Sequence, residues 1–318
     1  LIGAGVSLGW NLNSTEAHFG ASRRINSIRR NNAMSTTTPP GNIANQNWSA
    51  LTLGERIKHL EVEGYVVVPD LLTPDEIAHY KSLVEPMETK AADYSDKQRG
   101  RHNIHWDHPD LAGLIAHPPT LRFLEQLMGA DIIFHGAVYA LSKPGHPGIS
   151  LHTDGQPYGS QIFGYAGSCP VQVRVLYYLD DLTPDVSPFT VLPRSHLSLH
   201  ADANPYTRYT GHPEQVAVSA KAGSAVFLNH RCFHGNGPNV GNRDRTLLAY
   251  LYRPAWAGPV EAKIDRWPED KVAALPPHIR RFFDDPNTRR GFDFNHPNKP
   301  ANMRSDAAGI APSRWKKT

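Results

Sequence analysis

The chain is poor in cysteine, has no long apolar run and carries almost no net charge outside its first residues. Two cysteines in 318 residues, Cys169 and Cys232, cannot build a disulfide framework. That usage suits a reducing interior, so a cytoplasmic location is expected. No apolar run approaches the roughly 20 residues that cross a bilayer, and no membrane partner is expected. The formal charge of +3 is carried entirely by residues 1–33, where Arg23, Arg24, Arg29 and Arg30 outweigh Glu16; the remainder is neutral. A nucleic-acid binder would show a basic patch on its folded part, and none is visible.

What is present is an ordinary globular composition, 40% apolar and 9% aromatic, long enough for one large core or two modest ones. Residues 1–46 are rich in Asn, Ser, Thr, Gly and Arg and close on "STTTPPGN". They read as a disordered leader or upstream extension rather than a targeting peptide, because no small-residue cleavage pattern follows "LIGAGVSLGW". Thr52 and Glu55 form a capping-box pattern before Leu53, Ile57 and Leu60. "GYVVVPDLL" reads as a short buried strand. Thr73, Pro74 and Glu76 then open a second helix, and "TLRFLEQLMG" (120–129) makes a third that stops at Gly129.

From residue 131 the runs "DIIFHGAVYAL", "VQVRVLYYL", "FTVLP", "QVAVSA", "SAVFLNHRCFH" and "RTLLAYLYRP" are parted by Gly, Pro, Asn and Asp. Strands without helices between them predict an antiparallel sandwich or barrel. The fold class expected is mainly β with flanking helices. The boundaries are 47–260 for the β domain with its N-terminal helices, and 261–318 for a C-terminal segment packing on the core as a short helix and coil.

The chemistry begins with a search for paired ligands. Histidine and an acid two residues apart occur six times, at His59, His105, His108, His152, His200 and His212, where chance gives about 1.6. Five of these lie in a helix or in polar loops. Only His152-Thr153-Asp154 stands at the mouth of the sheet-rich region with a further histidine on a strand downstream. Period-2 alternation puts Val226, Leu228, His230, Cys232 and His234 on one strand face. The turn cluster "GNGPNVGN" then predicts a hairpin whose return strand starts with Arg245. Two imidazoles and one carboxylate on one face of iron leave three positions open, the arrangement of non-haem Fe(II) oxygenases, and ferrous iron survives in a reducing interior. The distal carboxylate of 2-oxoglutarate needs a planar, permanent cation, which arginine supplies.

Across roughly residues 50–256 the sequence resembles the phytanoyl-CoA dioxygenase-like Fe(II)/2-oxoglutarate oxygenases. The resemblance rests on "EGYVVVPDLLTPDEI", "LHTDG", the acidic turn and Pro-x-Ser-His of "YYLDDLTPDVSPFTVLPRSH", and "FHGNGPN", with Arg245 eleven residues after His234. It implies a double-stranded β-helix (jelly roll, cupin-like) with iron held by His152, Asp154 and His234, and Arg245 clamping the cosubstrate. Asn236 stands where the family often has a serine that touches the cosubstrate, Leu176 where some members have tryptophan, and "PRSH" replaces Pro-Gly-Ser-His. Lys97, Arg99 and Arg101 lie where a further basic residue sometimes helps bind the cosubstrate. Tyr158 and Arg174 are candidates for lining the substrate pocket. The activity implied is that of a dioxygenase hydroxylating a small organic molecule with Fe(II), 2-oxoglutarate and O₂. Asp154 argues for oxygen transfer, since halogenating relatives lack that carboxylate. The alternatives are a silent jelly-roll binding protein, a cupin-type metal enzyme without 2-oxoglutarate, and a zinc site from His230, Cys232 and His234.

Overall fold

A computed structural model describes residues 46–152, 172–197, 212–255 and 267–285. Asp154, Tyr158, Cys169 and residues 1–45 lie outside the described residues. The chain enters through α1 (Leu53–Glu63), β1 (Tyr65–Val68) and α2 (Pro74–Val84). Thr52 and Thr73 each accept from the backbone three residues on, and Glu55 and Glu76 reach back, so both capping boxes form. Next come β2 (Lys90–Ala92), β3 (Ser95–His102), α3 (Pro109–Gly113) and α4 (Pro118–Met128), the last ending at Gly129 with φ 88°. The remaining strands are β4 (Ile132–Ser142), β5 (Ile149–His152), β6 (Val173–Tyr178), β7 (Phe189–Val191), β8 (Val216–Val218), β9 (Ala225–Asn229), β10 (His234–Asn236) and β11 (Arg245–Pro254). Two short helices follow, α5 (Glu269–Ala274) and α6 (Pro277–Arg280).

The strands form two antiparallel sheets, one ordered β1-β9-β6-β11-β4-β3-β2 and one ordered β5-β10-β7-β8. Period-2 alternation divides the central strands of the larger sheet by size. Tyr139, Thr246, Leu248, Tyr250 and Tyr177 face one side, while Ala140, Val138, Leu247, Ala249 and Leu176 face the other. The large-residue side is covered by the helices: the Tyr250 hydroxyl donates to the Leu111 carbonyl at 2.7 Å and Tyr252 to Ile115 at 3.1 Å. Buried tyrosines with satisfied hydroxyls fix helix position as well as burying area. The small-residue side faces inward and builds the site.

Three sequence expectations change. The alternation from Val226 to His234 suggested one strand, but β9 stops at Asn229 and residues 230–233 turn the chain into the other sheet. The predicted hairpin is therefore a crossover: β10 pairs with β5 and β7, and β11 with β4 and β6. Polar residues 90–102 gave no strand signal, yet they form the hairpin β2–β3 that extends the larger sheet to its edge, where charge is tolerated because it deters pairing with other chains. His105, expected in a polar loop, is 2% exposed among Trp106, Phe134, Trp267 and Phe283. Burial there pushes its pKa down to about 3.

Gly64 closes α1 with φ 87°, and an added Cβ would stand 2.7 Å from both Cys232 Sγ and His196 Nδ1. Gly64→Ala combines left-handed strain with overpacking and is expected to cost at least ~2 kcal/mol in urea unfolding. The buried imidazoles give a pH signature. A histidine whose folded pKa lies below its unfolded value stabilises fully above about pH 6.5 and loses that contribution as pH falls toward the folded value. His117 and His196 shift in the same direction as His105, again through burial. Urea unfolding at pH 5 against pH 7 should show about 2 kcal/mol lost through His105 alone, and His105→Phe should flatten that slope.

Candidate active site

The site starts from a strand pairing. In β5 and β10, His152 and His234 are direct antiparallel partners, and their ring centroids lie 4.5 Å apart with planes at 42°. Partners in a ladder point to the same face, so two residues 82 positions apart are delivered side by side. The Nδ1–H of His234 donates to the Cys232 carbonyl at 2.9 Å. That bond fixes the tautomer and leaves Nε2 as the lone-pair nitrogen, the second-shell pattern of metal-ligating histidines. Among the described residues no third His, Cys, Asp or Glu completes a metal-holding group with this pair. His230 Nδ1 instead faces the Gln172 carbonyl at 3.2 Å, and Cys232 Sγ donates to the Leu192 carbonyl at 3.3 Å. The Cys232 thiol is pushed up to about 12 by burial, so a zinc site from His230, Cys232 and His234 is not formed.

Arg245 opens β11 on the inward face, opposite Ser142 of β4. It is fully buried, and Nε, Nη1 and Nη2 have no hydrogen-bond partner. Its nearest electron-rich neighbour is the Tyr178 ring, 5.9 Å from the guanidinium carbon. Burial lowers its pKa, with the phenols of Tyr178 and Tyr94 acting the other way. The same compartment holds further orphans: the Tyr178 hydroxyl and Gln98 Oε1 are buried without partners among the described residues. Gln98 pairs with Ser142 on the same row, whereas Lys97, Arg99 and Arg101 point to the other face. Arg99 is held by Thr89, and Arg101 pairs with Asp107 at 2.7 Å. The upstream residue beside Arg245 is thus the amide Gln98, which a search for basic residues overlooks.

A polar knot ties Arg245 to the end of β10. Ser142 Oγ lies 2.7 Å from Ser187 Oγ, which donates to the Gly237 carbonyl at 3.0 Å. His146 Nδ1 is 2.9 Å from Ser142 Oγ, and its Nε2 is 3.2 Å from the Tyr94 hydroxyl. Burial first, and the Arg245 charge second, push the His146 pKa down to about 4, so the knot holds a neutral imidazole. Asn236 follows His234 on the same strand face, half-buried, one step nearer this knot. Arg174 lies on the inward face of β6 at the opposite end, paired with Leu251.

The arrangement fits a metal and a dicarboxylate: a histidine pair with one tautomer fixed, and a buried cation lacking its anion. The fold class is the double-stranded β-helix. The phytanoyl-CoA dioxygenase (PhyH) family model matches residues 60–247, more than half of the chain. The ectoine dioxygenase of Stutzerimonas stutzeri (strain A1501) is 25% identical over 232 residues, 62% of this chain and 76% of that protein. HygX from Streptomyces hygroscopicus, solved with nickel and 2-oxoglutarate bound, shares the fold with TM-score 0.56 at 20% identity, covering 70% of this chain and 94% of HygX. The epimerase SnoN from nogalamycin biosynthesis aligns with TM-score 0.56 at 20% identity, covering 68% of this chain and 90% of SnoN. The chain belongs to the phytanoyl-CoA dioxygenase family. It is an Fe(II)- and 2-oxoglutarate-dependent dioxygenase.

An unpartnered buried charge predicts its own removal experiment. Differential scanning fluorimetry of the Ni(II)-loaded chain should show a rise in Tm on adding 2-oxoglutarate. Arg245→Met should abolish that rise yet leave the ligand-free protein at least as stable as wild type, because an uncompensated buried ion costs several kcal/mol. A large loss of ligand-free stability would reveal a structural ion pair instead.

Proposed function

We propose that the protein hydroxylates a small organic molecule, with His152, Asp154 and His234 as the iron ligands and Arg245 and Asn236 as the cosubstrate-binding residues. The observation that carries this reading is the Arg245 guanidinium, buried and without a partner, on the row that the Ser142–Ser187–Gly237 knot ties to the strand of His234. Iron(II) with 2-oxoglutarate supplies the activation of O₂ and the oxidation of a C–H bond.

The chain's own residues bind, orient and exclude water. The imidazoles of His152 and His234 stand side by side, and the carboxylate of Asp154, two residues beyond His152, supplies the third, anionic ligand. The Arg245 fork takes one carboxylate of 2-oxoglutarate in a bidentate pair, which a lysine could not reproduce. The Tyr178 hydroxyl and the Gln98 amide stand ready to complete the hydrogen bonds of that anion. The Asn236 amide can donate where a serine hydroxyl commonly does. Tyr158 and Arg174 are assigned to the substrate side. The metal ligands leave this reading open to a direct test.

Succinate formation from 2-oxoglutarate, measured with Fe(II) and ascorbate, should fall by more than about 100-fold in Asp154→Ala and in His234→Ala, beyond the 10–100-fold typical of outer-shell changes. Circular dichroism should show both variants folded. Unchanged turnover in either variant would remove that residue from the ligand set.

A further inference from the structure

The inward face of the larger sheet is hollow at one end. Gly136, Val138 and Ala140 sit on β4, in the middle of a seven-stranded sheet, yet all three are only half-buried. Among the described residues, no atom lies within 4 Å of a Cβ built on Gly136. The opposing positions on β11 are also aliphatic, Leu247, Ala249 and Leu251. A wall of small apolar groups that leaves open space is shaped for an aliphatic body.

The charges on this face are arranged at its two ends. On the paired rows from β3 to β9 the charged side chains are Arg245 at one end and Arg174 at the other, with the titratable His102 near Arg174 and no acid. Arg174 pairs with Leu251, six residues along β11 from Arg245, so the two cations stand about 20 Å apart. The ends also differ in access. Arg245 is sealed, whereas Arg174 is half-buried and His102 exposed, so the Arg174 end opens to solvent. His102 lies near enough to Arg174 to feel its charge. A β-bulge between β4 and β11 falls here, with His135 as the extra residue; bulges commonly re-aim side chains beside active sites.

We propose that the open end of the barrel is a carboxylate-binding subsite in which Arg174 holds the acid group of the substrate, while the hollow at Gly136 takes its aliphatic part. The substrate class is a small organic acid. The two arginines then divide two anions between them, the cosubstrate at the sealed end and the substrate at the open end. This inference rests on the cosubstrate reading of Arg245, since the open end is the substrate side only if 2-oxoglutarate occupies the other.

The test uses the full chain loaded with Ni(II) and saturated with 2-oxoglutarate, titrated calorimetrically with hexanoate, its neutral isostere hexanamide, and hexylammonium. Hexanoate should bind saturably, and hexanamide and hexylammonium at least about 10-fold more weakly. Arg174→Gln should weaken hexanoate about 10- to 100-fold, the range for one charge-assisted hydrogen-bonding group, and leave hexanamide unmoved. Arg174→Lys should recover part of the loss, and Gly136→Leu should weaken both ligands by filling the hollow. Equal affinity for hexanoate and hexanamide overturns the proposal, as does hexanoate binding indifferent to Arg174→Gln. The charge-transfer band of the anaerobic Fe(II)–2-oxoglutarate complex is recorded for each variant as a check on integrity. If wild type lacks that band, the cosubstrate reading fails; if the band forms and hexanoate does not bind, the subsite alone fails.

Discussion

A guanidinium sealed inside a β-barrel with no counter-charge is unstable in its own terms, and the surrounding architecture is what keeps it there. Moving such an ion out of water costs several kcal/mol even after relaxation. Arg245 tolerates this because its neighbours are locked. Ser142, Ser187 and His146 form a closed hydrogen-bond circuit on one side. On the other, the Asp180 carboxylate accepts from the Thr246 backbone N–H at 2.8 Å and from Lys81 at 2.6 Å. The residue after the arginine is therefore pinned by an acid that is itself neutralised. The cation stays unsatisfied within the protein, which reserves its hydrogen bonds for an anionic ligand.

That arrangement gives the acidic turn a role. Asp180 sets the start of β11, while the neighbouring Asp181 accepts from the Ala222 N–H at 2.9 Å and from Lys221 at 3.1 Å. The Lys221 and Ala222 bonds hold the Asp181 carboxyl below the usual range. Neither acid faces the barrel interior, so the turn acts by positioning. The Pro-x-Ser-His segment serves a similar end: Ser195 Oγ accepts from the Phe233 N–H at 2.8 Å, and His196 Nε2 donates to the Glu61 carbonyl at 2.8 Å. These bonds hold the turn that precedes His234.

Much of this was legible in the sequence. Capping boxes, strand alternation and turn clusters are local signals, and the structure follows them at Thr52, Thr73 and Gly129. The convergence of His152 with His234 was legible because the two stand on strands that a jelly roll must pair. Other features depend on contacts the sequence does not carry locally. The alternation through His230 and Cys232 continues across a turn, because both side chains are buried for reasons unrelated to the strand, and so one strand was read for two. The polar hairpin 90–102 earns its place only by pairing with β4. His105 becomes a core residue through Trp267 and Phe283, more than 150 positions away, and no window over residues 102–108 contains them.

The crossover between the sheets has a consequence for variation in chain length. Arg245 and Thr246 point to opposite faces, and Thr246 is fastened to Asp180. Asn239 is fastened too, its Nδ2 donating to the carbonyls of Ser142 at 3.1 Å and Arg243 at 3.0 Å. Val240, 53% exposed, looks like a loop tip where residues could be added freely. An extra residue beyond it, if it slid the strand by one, would swing the guanidinium out to the helix-covered side and turn a threonine inward. Length changes in this stretch must therefore be taken up between Asn239 and Arg243, leaving a short window in which the chain can grow without losing its grip on an anion.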